Sequence, residues 1–278
     1  MIYGHLIKKN EQFGIKPGDI CKFAFNCEPE QISENVIMVP RWQPEIFEKY
    51  ADTISLLSEI NYIYKLWTIE VNKKKITYIN TYMGAPKVID AVFALSFTPC
   101  KNIVFVGSVG GLDEKTMVGD LIIPEYSVCG DGACRYLTDE EIAGNDCFGV
   151  KYFPNKKMYE KIILETKKIT EKNNVNWHIG KNFSIDTILL EFSHIDEIIR
   201  MGCNCIECET AAFFKASIIC GIKSCALFSV SDNVIKNKSL LSGRTKEEME
   251  YRENVRKNIL TKIVIECLAP FFTLNPAE

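Results

Sequence analysis

The chain has 278 residues, 47% of them hydrophobic, enough to bury a substantial core as one large α/β domain or two small ones. Its formal net charge of −3 offers no broad cationic field, which argues against a nucleic-acid partner. No apolar run of about 18 residues occurs, and the start MIYGHLIKKNEQ lacks the apolar stretch of a signal peptide, so no membrane partner and a cytoplasmic location are expected.

In chain order, the first forty residues read as irregular, with a turn at Pro17-Gly18 and a polar stretch at Glu28–Ser33. Asn35–Val39 reads as a short strand running into Pro40. Pro44–Glu59 carries Ile46, Phe47, Tyr50, Ile54 and Leu57 at helical spacing and predicts a helix. Tyr62–Glu70 and Lys75–Tyr82 read as strands around an Asn72–Lys74 tip, and the basic run Lys73–Lys75 is a solvated hairpin end. Gly84-Ala85-Pro86 opens a helix to about Leu95. This alternation of strand and helix is what a largely parallel sheet with covered faces requires.

An apolar strand at Ile103–Val106 then runs into Gly107, Gly110 and Gly111, read as a glycine-rich turn, and a second strand spans Asp120–Pro124. Glycines allow positive φ and close approach of a ligand to backbone N–H groups. The stretch lacks the Gly-Lys-Ser/Thr of a P-loop and the GxGxxG of a dinucleotide fold, so a structural turn and a ligand cradle both stay open. Tyr126–Asp146 reads as a long loop. Helices are expected at Lys157–Lys172, Ile195–Met201, Glu209–Cys220 and Lys246–Leu268, with strands at Trp177–Gly180 and Lys223–Val230. No repeat or linker divides the chain, so a single domain over residues 1–278 is expected. The twelve cysteines read mostly as buried reduced thiols. Cys203, Cys205 and Cys208 are closely spaced, but no second CxxC or nearby histidine completes a zinc set, so no metal site is expected.

Two groups of acids stand out. Glu207 and Glu209 sit at the mouth of an apolar helix, where they either cap it or face a ligand. Asp232 follows the apolar strand Ala226–Val230. That is the end of a strand where ligands bind in open α/β sheets, and also where surface turns carry aspartates.

Taken together, VGSVGGLDEKTMVGDLIIP, WHIGKNFSIDT, GCNCIECETAAFF and FSVSDNV resemble the nucleoside phosphorylase/nucleosidase family, in the branch of purine nucleoside and uridine phosphorylases. The similarity runs in order from about Asn35 to Glu266. It implies a three-layer α/β/α fold around a mixed, partly barrel-like sheet, with residues 1–34 as an extension packed on it or on a neighbouring subunit. It also implies cleavage of the N-glycosidic bond of a nucleoside by a homo-oligomer with shared sites, with no cofactor and inorganic phosphate as co-substrate.

Residue by residue, the resemblance places Glu207, Cys208 and Glu209 at the ribose, with Glu209 accepting from the sugar hydroxyls. Glu207 stands behind it or at the 3′ side. His5 would reach the 5′-hydroxyl in a neighbouring subunit. Phe183 would stack near base and ribose, and Asp232 would protonate purine N7 or donate to it. A purine is favoured, because Thr187–His194 lacks the glutamine and arginine that hold uracil in uridine-processing relatives, although the loop SVCGDGACRY is closer to those relatives.

The phosphate site departs from the family pattern. Ser108 and Gly107 match, but Ile46 and Phe105 stand where arginines are expected, leaving Arg41 and Lys65 as the available cations. A bidentate arginine is not replaced by phenylalanine or isoleucine. Phosphorolysis through a rebuilt pocket, hydrolysis by water, and a degenerate nucleoside-binding protein are therefore three readings.

Overall fold

The N-terminal segment opens with two helices, α1 (Ile2–Gln12) and α2 (Pro17–Phe25), where irregular chain was expected. Pro17 lies in the first turn of α2, where its missing N–H costs nothing; the Pro-Gly pair marks a helix start. The computed structural model describes residues 2–58 and 63–269. Strand β1 (Asn35–Val39) follows. The helix expected over Pro44–Glu59 is instead a short 3₁₀ turn at Pro44–Phe47 and a strand, β2 (Thr53–Ser58); Glu59 lies outside the described residues. Ile46, Tyr50 and Ile54 still pack on the core, so the apolar pattern was sound while its period was misread.

Strands β3 (Lys65–Val71) and β4 (Lys74–Asn80) form the expected hairpin; Tyr62, the expected start of its first strand, lies outside the described residues. Asn72 and Lys73 at its tip have φ of 50° and 62°, as a two-residue hairpin turn demands. Helix α3 (Ala85–Leu95) leads to β5 (Asn102–Gly111). The glycines expected to form a turn continue this strand, pairing with neighbours on both sides. β6 (Leu121–Gly130) likewise runs into the expected loop. After it come β7 (Lys151–Tyr152), α4 (Lys156–Asn173) and β8 (Trp177–Ile185), which is longer than expected. The chain ends with α5 (Ile195–Arg200), β9 (Cys205–Glu207), α6 (Thr210–Cys220), β10 (Lys223–Asn233), α7 (Lys246–Val255) and α8 (Thr261–Leu268). A π-helical turn at Arg256–Leu260 joins the last two.

Alternation along the central strands explains the layers. Ile103 and Phe105 of β5, with Val36 and Met38 of β1, face a core closed by α2, α3 and α6. Val104 and Val106, with Ile37 and Val39, face a second core closed by α4 and α8. A sheet apolar on both faces needs a cover on each. The strands pair in the order β10-β6-β8-β9-β5, and β5 pairs back to β10, so this half closes into a barrel; β1, β4, β3 and β2 extend from it as an open sheet. Pairings are parallel for β5 with β1 and β10 and antiparallel for β10 with β6 and β5 with β9. The fold is α/β, with a mixed, partly barrel-like sheet flanked by helices. No described helix is long and apolar enough to cross a membrane. All twelve cysteines are free thiols, and all but Cys220 are buried.

Gly130, at the end of β6, is the tightest approach near the site. A Cβ there would stand 2.3 Å from the Phe183 ring and 2.6 Å from the Ser184 carbonyl oxygen. Gly130→Ala is expected to cost about 1–3 kcal/mol as overpacking does, read as a lower urea midpoint. Gly144→Ala, where a Cβ meets nothing within 4 Å, should stay within about 0.5 kcal/mol of the parent. Equal midpoints for the two variants would contradict this packing.

Candidate active site

A cavity of about 370 Å³ opens where β1, β5 and β10 end, the position at which parallel strands leave room for a ligand. One wall is acidic, and its order begins with Glu207 at the end of β9. Its Oε1 accepts from Asn182 Nδ2 at 2.6 Å and Ser184 Oγ at 2.5 Å, and its Oε2 from the backbone N–H groups of Glu209 and Thr210 at 2.7 and 2.8 Å. The last two are free donors at the start of α6, where a carboxylate is favoured by the helix dipole. Burial pushes the Glu207 carboxyl up, and these hydrogen bonds oppose it. With both oxygens engaged, Glu207 acts as a strut between β8 and α6.

That strut aims Glu209. Its Oε1 accepts the Gly84 N–H at 2.7 Å, and Gly84, just before α3, has φ of 106°, a conformation that favours glycine. Burial, then the charge of Glu207, raise the Glu209 carboxyl to about 8. Cys208 lines the cavity beside it.

Asp232 owes its aim to a β-bulge. The β10–β5 register slips between Val230 and Asp232, so that Asp232 falls opposite Gly110. Ser231 Oγ donates to Asp232 Oδ1 at 2.5 Å. Burial raises this acid, while the Ser231 hydroxyl, Arg244 and Arg252 pull it down. Glu191, which the sequence reading missed, lines the same region. It is buried, its side chain has no hydrogen-bond or ion-pair partner among the described residues, and burial with the charge of Asp232 raises it to about 7.

Beside Asp232 a second, cationic wall begins. Arg252 of α7 donates from Nη2 to Ser108 Oγ at 2.7 Å, and its Nε is buried without a partner. Arg244 donates to the carbonyl oxygens of Ser231 and Leu240 at 3.2 and 2.7 Å, and Arg41 lies on the rim with Gly107 behind it. No arginine among the described residues forms an ion pair within 4.0 Å. Burial, then repulsion from Arg256 and Arg244, push Arg252 down to about 10. Arg256, one helical turn on, stacks over Trp42 at 5.0 Å, and the π turn begins there.

Asp232, Glu207, Cys208, Glu209, Ser108, Gly107 and Arg41 therefore share one cavity. Three expected residues lie elsewhere in the chain's own fold. Phe183 is buried among Val128, Ile185 and Ile206 with its ring folded over Gly130, and does not line the cavity. Lys65 begins β3 and lies over the Trp67 ring at 5.1 Å. His5 is exposed on α1, outside the cavity lining of its own chain. Arg252 was missed because the final helix was read only for its apolar stripe, and Arg244 because it precedes that helix, in a stretch to which no element was assigned. The spacing of Arg252 and Arg256, four apart on one helical face, was the available signal.

A two-walled cavity at the strand ends of a half-closed mixed sheet is the place where α/β proteins take up small molecules. Over residues 42–269 the chain matches the Phosphorylase superfamily, and it belongs to that family. It is 26% identical over 213 residues to a DeoD-type purine nucleoside phosphorylase from Bacillus velezensis, covering 76% of this chain and 87% of that protein. The Bacillus subtilis protein of the same description is 25% identical, with 75% and 85% covered. Among solved structures, uridine phosphorylase from Vibrio fischeri superposes with a TM-score of 0.70 at 20% identity, covering 86% of this chain and 94% of that one. Purine nucleoside phosphorylase from Toxoplasma gondii, in complex with immucillin-H, gives 0.67 at 19%, covering 88% and 94%.

The acids carry a stability signature. Glu209 and Glu191 bind protons more tightly folded than unfolded, so their contribution to stability is full below the unfolded value of 4.5 and is lost as pH rises to about 8 and about 7. Denaturation midpoints should fall between pH 5 and pH 8, and Glu209→Gln should flatten the slope. A midpoint that rises over that interval would contradict the assignment.

Proposed function

We propose that the protein cleaves the N-glycosidic bond of a nucleoside with phosphate as nucleophile, giving free base and ribose 1-phosphate. The observation that carries this reading is Arg252, a half-buried guanidinium whose buried Nε has no partner, bonded to Ser108 and crowded by Arg244 and Arg256. Asp232 is the acid whose charge acts on Arg252 and Arg244, but it lies outside ion-pair distance, so these guanidiniums stay open to an anion, and guanidinium suits phosphate. Phosphorylases among the relatives support the same reaction.

In this reading phosphate binds between Ser108, Arg252, Arg244 and Arg41, and attacks the anomeric carbon. Glu209, fixed by Gly84, accepts from the ribose hydroxyls with its other oxygen. As the C–N bond breaks, the sugar gains oxocarbenium character, and a fixed carboxylate gains value with that charge. Asp232, held high by burial, delivers or shares a proton at N7 of a purine, a step worth roughly 10²–10⁴ in rate. Glu191 supports a base edge that carries N–H donors, as a 6-oxopurine does. Electrons from the glycosidic bond leave on the base, and the phosphate oxygen takes its place at carbon. His5 and α1, exposed on the protomer, fit a homo-oligomer in which that helix reaches a neighbouring cavity.

Inosine or guanosine should turn over only with phosphate present, and ribose 1-phosphate should be the product. Arg252→Gln should raise the KM for phosphate by about 10-fold or more, the loss of a charged hydrogen bond, with a smaller effect on nucleoside KM. Glu191→Gln should lower kcat/KM for guanosine more than for adenosine. Free ribose released at the same rate without phosphate would replace this reading with hydrolysis. Saturable nucleoside binding without cleavage would reduce the protein to a binder.

A further inference from the structure

Behind the site, under the first turn of α6, the segment Cys129-Gly130-Asp131-Gly132-Ala133-Cys134 curls back on itself. Cys129, Asp131 and Cys134 are all buried, and one ligand atom from each lies within 4.8 Å of the others. Both thiols donate to the same oxygen, Asp131 Oδ2, at 3.4 and 3.3 Å. A tetrahedral ion with metal–sulfur bonds of about 2.3 Å and metal–oxygen bonds of about 2.0 Å needs sulfur–oxygen edges of about 3.5 Å. Two edges of such a tetrahedral face are already in place, and the two sulfurs lie within 4.8 Å of each other.

Two further observations point to a cation. Asp131 Oδ1 accepts the Cys134 N–H at 2.8 Å, and the Gly132 N–H is held by Asp186 at 2.9 Å, so the ligands are oriented without a metal. Lys215 is buried beside the cluster, with Nζ donating to the Cys134 carbonyl at 2.8 Å and to Cys147 Sγ at 3.1 Å and lying over the Tyr152 ring. Among the described residues it has no carboxylate within 4.0 Å. Two thiolates, one carboxylate and a divalent ion sum to a single negative charge, which this ammonium cancels. A buried ammonium without such a partner is costly.

We propose that Cys129 Sγ, Asp131 Oδ2 and Cys134 Sγ bind one zinc-class divalent cation, with water completing the tetrahedron. Binding releases the two thiol protons to solvent, with no change of oxidation state. The ion takes no part in the reaction proposed above. It ties the segment after β6 to Ala211 and Ala212 of α6, the helix that carries Glu209 at its start. The sequence expectation of no metal site rested on Cys203, Cys205 and Cys208, which form no three-ligand cluster among the described residues.

The test uses the reduced full chain, stripped with a chelator and titrated with Co²⁺. One equivalent should give sulfur-to-cobalt charge-transfer absorption and tetrahedral d–d bands, both erased by Zn²⁺. Cys129→Ser and Cys134→Ser should abolish the charge-transfer band or cut it sharply, Cys203→Ser should keep it, and Lys215→Met should weaken binding by about 10–100-fold. Native mass spectrometry of the parent, which needs no variant to fold, should show one Zn²⁺ per chain. A parent with no cobalt–thiolate band and no bound zinc would overturn the proposal. So would a band that survives both Cys129→Ser and Cys134→Ser.

Discussion

Strands β5 and β10 run side by side in parallel from Asn102 and Lys223 to Gly111 and Asn233, and this ladder closes the barrel. Its register carries the site. Gly107 and Ser108 lie opposite Phe228 and Ser229, and the bulge at Ser231 then resets the pairing so that Asp232 meets Gly110. Without that bulge every residue beyond Val230 would change face, because side chains alternate along a strand. Asn233 fastens the far end, donating from Nδ2 to the carbonyl oxygens of Asp113 and Thr116 at 2.7 and 2.9 Å. The hydroxyl proposed to meet the anion and the acid proposed to act at the base are thus spaced by backbone hydrogen bonds.

The cavity holds acids and arginines with no ion pair within 4.0 Å among the described residues, and only Asp232 feels the arginine charges as a main influence. Glu209 and Glu191 are held above ordinary carboxylate behaviour by burial, and Arg252 is held below ordinary guanidinium behaviour for the same reason. Burial thus disfavours the charged form of both sets of groups, and a ligand of opposite charge against either would restore it. In the proposed reaction a nucleoside and a phosphate dianion would satisfy both at once: the anion on the arginine wall, and the sugar, positive in the transition state, against Glu209. Preorganised groups of this kind need no rearrangement at the moment of reaction. Glu207 contributes by staying out of the reaction, since four donors consume its carboxylate.

Legibility in the sequence followed locality. The β3–β4 hairpin, α3 and α4 were readable because period, turn residues and caps agree within each segment. Asp232 and Glu209 were readable because both sit at element ends marked by apolar runs. Pro44–Glu59 failed because a 3₁₀ turn followed by an edge strand offers the same spacing of apolar residues as a helix. The glycines of β5 looked like a turn, yet two partner strands hold them extended. The cationic wall failed for a different reason. Arg244 and Arg252 come from after β10, far along the chain from Ser108, and only the packing of α7 over the strand ends joins them. Phe183 was expected against the ligand, and the missing side chain at Gly130 lets its ring turn into the core instead.

A crystal structure of the protein soaked with phosphate and a non-cleavable nucleoside analogue tests the two-wall account most directly. The account predicts an anion within hydrogen-bond distance of Ser108 Oγ and the Arg252 guanidinium, a ribose whose hydroxyls meet Glu209, and a base placed between Asp232 and Glu191. An analogue bound with the ribose on Glu209, while Arg252 stays on Ser108 and no anion binds at millimolar phosphate, would contradict it.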